Sequence, residues 1–225
     1  MNLTLADIQP ETSDVTSFLF EPEGELEWQP GQYLRYRIPH QGEDERGPQR
    51  YFTAASAPHE RHVRLTTRRA AERGSTFKEA LFGLEPGAIV EADAPAGSFT
   101  LEEPEGEYVL IAGGIGITPF RAILVDLAHR GKRLDGKLIY ANRNDEIVFR
   151  DELDDLSFAL GLSIRYLVDP ERIDARLLAE EVPNPAGARF YISGPKPMVD
   201  AIQELALAHG AAEELLKRDA FPGYG

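Results

Sequence analysis

Leu110-Ile111-Ala112-Gly113-Gly114-Ile115-Gly116-Ile117-Thr118-Pro119 is the stretch on which the fold turns. The apolar run from Tyr108 to Ala112 reads as a buried strand. Glycines follow, then a helix over 119–130, with Phe120, Ile123, Leu124 and Leu127 at i, i+3, i+4 and i+7. Thr118 suits the N-cap, Pro119 the first helical position and Gly131 the stop. At such a junction Gly113, Gly114 and Gly116 let backbone approach a pyrophosphate, which the helix start faces. Many α/β proteins use the same glycines purely for a tight turn. Pro119 also stands where the dinucleotide fingerprint ends in Gly or Ala.

Downstream the pattern repeats. Strands are expected at 137–141, 163–168 and 189–193, with helices at 149–160 and 197–209 between and after them. Alternating strand and helix implies a parallel, doubly wound sheet. Upstream the chain reads as β. Short runs at 17–20, 33–38, 63–67 and 88–91 alternate with turn signals, which suggests a small barrel or sandwich. The acidic Pro/Gly segment 101–107 marks the boundary.

Composition excludes several function classes. The 225 residues carry a net charge of −14, which disfavours general nucleic-acid binding. There is no cysteine, so the chain holds no disulfide, Cys-ligated zinc, Cys-bound iron–sulfur cluster or thiol nucleophile. The longest uncharged stretch, 108–120, is too short to span a bilayer, and the first ten residues carry no export signal; a cytoplasmic protein without membrane insertion is expected. The five histidines are scattered, and no metal site is read. Neither a G-x-S-x-G elbow nor a P-loop with its Lys-Ser/Thr is present.

Three more segments carry potential chemistry. Within 50–78, Arg50, Arg61, Arg64, Arg68, Arg69, Arg73 and Lys78 face only Glu60 and Glu72, a local +5 that fits a solvated strand face or an anion site. Arg50 precedes Tyr51-Phe52-Thr53, and Gly74-Ser75-Thr76 opens a helix over 77–82; together they suit a ligand with a diphosphate and a flat ring. Tyr191-Ile192-Ser193-Gly194-Pro195-Lys196-Pro197-Met198 is a second strand–glycine–helix junction, which alone is most often a plain connection. The end of the chain, Asp219-Ala220-Phe221-Pro222-Gly223-Tyr224-Gly225, is either frayed or packed, or functional.

These segments, in this order, resemble the ferredoxin–NADP(+) reductase superfamily. Arg50-Tyr51-Phe52-Thr53 is similar to its Arg-x-Tyr/Phe-Ser/Thr flavin motif. Gly74-Ser75-Thr76 resembles the segment that holds the FAD pyrophosphate, and Thr67 and Arg68 are assigned to the same cofactor. Gly113, Gly114, Gly116, Thr118 and Pro119 resemble the nicotinamide-dinucleotide loop, and Asn142 and Arg143 the segment around the adenosine ribose. Ser193-Gly194-Pro195 sits where the family usually has Cys-Gly-Pro beside the nicotinamide.

The resemblance implies two domains. They are an N-terminal antiparallel Greek-key β-barrel over 1–104 that binds FAD and a C-terminal α/β doubly wound parallel sheet over 105–225 that binds NADP or NAD. Hydride would pass from nicotinamide C4 to flavin N5, with Thr53 near N5 and Ser193 by the nicotinamide. Phe221 or Tyr224 would cover the flavin, and Asp219 stands where relatives often carry Glu. Serine at 193 keeps a small polar group but loses the polarizable sulfur, which bears on the hydride-transfer rate. The implied partner is a separate electron acceptor: a ferredoxin, a flavodoxin or an oxygenase component. The acidic net charge weighs against ferredoxin. Arg143 leans the cofactor towards NADPH, although an exposed loop arginine is nearly as good an account of it. A non-catalytic nucleotide-binding or sensory module and a free-flavin reductase are the alternatives.

Overall fold

The chain divides into two compact units, Met1–Thr100 and Leu101–Gly225, in a computed structural model that describes residues 1–69, 74–101 and 104–221.

The first unit is an antiparallel sheet of β1 (Asn2–Pro10), β2 (Val15–Pro22), β3 (Tyr33–Arg37), β4 (Gln49–Thr53), β5 (Val63–Arg68) and β6 (Ile89–Ala92), in the order β4-β3-β6-β1-β2-β5. The sheet closes on itself. Ala54, just past β4, bridges Leu65 of β5, and the Ala55 N–H donates to the Arg64 carbonyl at 2.8 Å. Closure leaves a barrel whose inner residues are large and apolar: Leu3, Leu5, Phe18, Phe20, Leu34, Tyr36 and Leu65 are all essentially buried. α1 (Thr76–Phe82) contributes Phe77 and Leu81 to the same core.

Two of these strands were not expected. β1 alternates only as far as Leu5; a bulge between Leu5 and Asp7 then shifts the register, and period-two reading fails there. β4 is five residues long and carries the Arg50–Thr53 motif, whose mixed polar and aromatic character hides its strand period.

The second unit is a parallel sheet of β7 (Tyr108–Gly113), β8 (Gly136–Asn142), β9 (Ser163–Val168), β10 (Arg189–Pro195) and β11 (Leu216–Phe221), in the order β11-β10-β7-β8-β9. Helices α2 (Thr118–His129), α3 (Arg150–Leu160), α4 (Ala175–Glu181) and α5 (Lys196–His209) connect or follow the strands. The expected apolar stripe of α2 holds: Phe120, Ile123, Leu124 and Leu127 are all at most 1% exposed. Its start differs. A 3-10 turn over Gly114–Ile117 runs directly into α2, so Thr118 is the first helical residue and its hydroxyl donates back to the Ile115 carbonyl at 3.2 Å. α4 was not expected, although Asp174 caps it by accepting from the Leu177 N–H at 2.8 Å. No helix among the described residues is long and apolar enough to cross a membrane.

An ion pair between a buried arginine and a half-exposed glutamate joins α2 to α3. Arg121, 3% exposed, forks onto Glu152: Nε donates to Oε2 at 2.7 Å and Nη2 to Oε1 at 2.6 Å. Its guanidinium also lies 5.2 Å from the centre of the Phe149 ring. Removing the carboxylate deletes two charge-assisted hydrogen bonds from a desolvated guanidinium; Glu152→Ala is expected to cost about 2 kcal/mol in urea unfolding, and a loss below about 0.5 kcal/mol would contradict this.

Candidate functional site

In the first unit the candidate residues gather around β4. Period-two alternation divides the motif between the two faces of the strand. Arg50 and Phe52 share the face towards α1: the Arg50 guanidinium is 5.5 Å from the Phe77 ring centre, and Phe52 stacks on Phe77 at 5.9 Å. Tyr51 and Thr53 point the other way. Tyr51 is 62% exposed and meets the Tyr33 ring edge-on at 5.4 Å, while Thr53, opposite Tyr33 in register, is nearly buried.

Arg50 is held by its own loop. Nη1 donates to the carbonyls of Arg46 at 2.9 Å, Gly47 at 2.9 Å and Gln49 at 2.6 Å, and Nη2 reaches Asp44 Oδ1 at 3.3 Å. Ser75 caps α1 by accepting from the Lys78 N–H at 3.2 Å. The Thr76 N–H donates to Asp44 Oδ2 at 3.2 Å, and the Thr76 hydroxyl lies 2.8 Å from His40 Nε2. Gly74, Ser75, Thr76 and Arg50 are therefore brought together, joined by Asp44 and His40, which sequence reading did not single out. The bidentate contact with Arg46 and the backbone N–H groups of Arg46 and Thr76 hold the Asp44 carboxyl well below the usual carboxylate range. On β5, Arg68 pairs with Asp14 of the β1–β2 turn at 2.5 Å. Neighbouring Thr67 is 1% exposed, and its hydroxyl has no hydrogen-bond partner.

In the second unit, strand order reverses between β7 and β10, the switch point at which doubly wound sheets bind ligands beyond their strand carboxyl ends. The two glycine junctions flank that point, Gly113–Pro119 after β7 and Ser193–Pro195 ending β10. Gly116 presses against β10 so closely that a Cβ would overlap the Ser193 carbonyl oxygen and come within 2.7 Å of Gly194 Cα. Gly114 is the opposite case. Its φ is +52°, and a Cβ there would meet nothing within 4 Å.

Ser193 is fully buried, and its hydroxyl donates to Asp219 Oδ2 at 3.3 Å. The contact follows from register: β11 runs parallel to β10 with Ser193 opposite Asp219 and Pro195 opposite Phe221. The segment read as a tail is thus an edge strand as far as Phe221; Tyr224 lies outside the described residues. Burial pushes the phenol of Tyr191, two residues before Ser193, up to about 12. At the end of β8 both side-chain amide atoms of Asn142 are buried without a partner, and Arg143 beyond it is exposed and in no ion pair among the described residues.

Comparisons with known proteins agree with this geometry. Residues 110–204, which take in both glycine junctions, match the oxidoreductase NAD-binding domain family. The FAD/NAD-binding domain of a nitric oxide dioxygenase from Vibrio cholerae superposes with a TM-score of 0.86 at 26% identity, covering 98% of each chain. The chain has the ferredoxin–NADP(+) reductase-like fold, and residues 110–204 belong to the oxidoreductase NAD-binding family. Among curated relatives, a flavohemoprotein of Deinococcus radiodurans is 31% identical over 214 residues, 87% of this chain and 52% of the relative. A 2-halobenzoate 1,2-dioxygenase electron transfer component of Burkholderia cepacia is 30% identical over 197 residues, 81% of this chain and 56% of the relative. The chain spans about half the length of these relatives.

Proposed function

We propose that the chain is an NAD(P)H-dependent, FAD-containing reductase that passes electrons to a separate acceptor protein. The observation that carries the reading is the parallel sheet's switch point, flanked by both glycine junctions. Buried polar groups without partners fit the two ligands. Asn142 offers a donor and an acceptor at the end of β8, and Thr67 offers a hydroxyl on β5. Such groups are costly unless a ligand or water completes them.

FAD is assigned to residues 1–104 and the nicotinamide dinucleotide to 105–225. Arg50 and Gly74, Ser75 and Thr76 hold the flavin diphosphate as charged and polar donors, with Thr67 and Arg68 beside them. Tyr51, Phe52 and Thr53 are assigned to the flavin ring. Gly113, Gly114, Gly116, Thr118 and Pro119 hold the dinucleotide, with Asn142 and Arg143 on its adenosine side and Ser193, Gly194 and Pro195 on its nicotinamide side. Asp219 positions the Ser193 hydroxyl, and the role of a ring cover is assigned to Phe221 or Tyr224. When bound, the flavin would supply two-electron chemistry towards the nicotinamide and one- or two-electron chemistry towards the acceptor; the protein supplies orientation and electrostatics.

An oxygenase component is the favoured acceptor. The electron transfer component of Burkholderia cepacia supports that class, as does an acidic chain poorly matched to an acidic partner. A cytoplasmic site of action belongs to the same proposal, since reduced nicotinamide dinucleotides are made and kept inside cells.

Arg143, exposed and in no ion pair among the described residues, supports NADPH, because a guanidinium pairs well with a ribose 2′-phosphate. With ferricyanide as artificial acceptor, the FAD-loaded protein is expected to oxidise both dinucleotides, with a KM for NADPH about tenfold below that for NADH. Equal KM values would remove the role of Arg143. No oxidation of either dinucleotide would overturn the proposed activity.

A further inference from the structure

The β3–β4 loop carries a carboxylate that is seated on cationic and N–H donors. Asp44 accepts from Arg50 Nη2 at 3.3 Å and from the Thr76 N–H at 3.2 Å. Its own N–H donates to the Thr76 hydroxyl at 3.1 Å. Arg46 clamps the same carboxylate from within the loop, Nε to Oδ1 at 3.2 Å and Nη2 to Oδ2 at 2.7 Å. Two glycines frame the segment, Gly42 with φ +71° and Gly47 with φ +66°, and a Cβ at either would meet nothing within 4 Å. Asp44 is thus held between Arg46 of its own loop and Arg50 of β4, with a conformationally permissive glycine on each side of it.

We propose that Asp44 is an internal competitor for the flavin diphosphate, and that it sets how tightly the protein retains flavin. The inference rests on the placing of the flavin proposed above. Arg50 Nη2 and the Thr76 N–H are the donors assigned there to the diphosphate, and a carboxylate and a diphosphate do not share a single N–H at full strength. Two anions within a few ångströms of one guanidinium also repel each other. Flavin uptake therefore exchanges one anion for another. The displaced Asp44 keeps Arg46, its neighbour in the loop, as a counter-ion, so its departure leaves no unpaired charge.

The test is a titration of flavin-free protein with FAD, followed by flavin fluorescence, on the wild type, Asp44→Asn and Asp44→Ser. The two substitutions differ in size but share the loss of charge, and circular dichroism establishes that each variant is folded. Both are expected to bind FAD about tenfold more tightly than wild type, chiefly through slower release. Glu45→Gln removes a charge from the same loop without touching these donors, and should change the affinity less than twofold. Wild-type uptake with unchanged or weaker binding by the two Asp44 variants would overturn the competition and make Asp44 a support for Arg50. An equal gain from Glu45→Gln would reduce the effect to net charge and overturn it too. No uptake by any of these proteins would overturn the placing of the flavin as well.

Discussion

Gly116→Ala is expected to cost about 3 kcal/mol or more of stability, the upper range for overpacking a site that cannot relax. The added methyl would overlap the Ser193 carbonyl oxygen and approach the Ser193 carbonyl carbon to 2.6 Å. Both are backbone atoms in the middle of a parallel sheet, where β10 is paired on one side with β7 and on the other with β11. Neither partner strand leaves β10 room to yield, so the turn after β7 has to lift away. That turn is the proposed dinucleotide loop, and the variant should lose both its urea-unfolding midpoint and its affinity for NADPH. Gly114→Ala is the informative contrast. It meets no atom within 4 Å but holds a residue at φ +52°, so its stability cost is about 1 kcal/mol. Its methyl would project into open space, and weaker NADPH binding at near-wild-type stability is the expected signature of a ligand there. Equal stability losses for the two variants would contradict the packing account.

Arg50→Ala is expected to weaken FAD retention about ten- to a hundredfold, the equivalent of one lost charge-assisted hydrogen bond worth about 1.5–3 kcal/mol. The position is structurally engaged as well, through three loop carbonyls and the Phe77 ring. A thermal melt of the flavin-free variant measures that structural share. If affinity falls while the flavin-free melting temperature moves by only a few degrees, Arg50 acts on the ligand. If flavin content and affinity stay at the wild-type level, the diphosphate is not held where proposed.

The α/β half was the more legible in sequence, for a physical reason. Strands buried on both faces, such as β7 with all six residues buried, read as unbroken apolar runs, and the α2 stripe follows directly from its period. Edge strands carry no such signal. β11 is Leu-Lys-Arg-Asp-Ala-Phe, charged and half exposed as an edge strand should be, and only pairing with β10 makes it a strand. The Ser193–Asp219 contact was hidden with it, because register alone brings two residues 26 apart into line. The Asp44–Thr76 contact was hidden likewise: loop conformation places an acid 32 residues from the helix it meets, and no local pattern encodes that. The glycines were read alike, as letting backbone approach a pyrophosphate; sequence could not separate Gly116, which packs against β10 itself, from Gly114, where the space is open.

Absorbance of the purified protein, incubated with FAD, freed of excess by gel filtration and then mixed anaerobically with NADPH, tests the central claim most directly. A bound-flavin spectrum that bleaches on adding NADPH is the predicted result. A preparation that stays colourless after incubation, or that keeps its colour unchanged in the presence of NADPH, would contradict it.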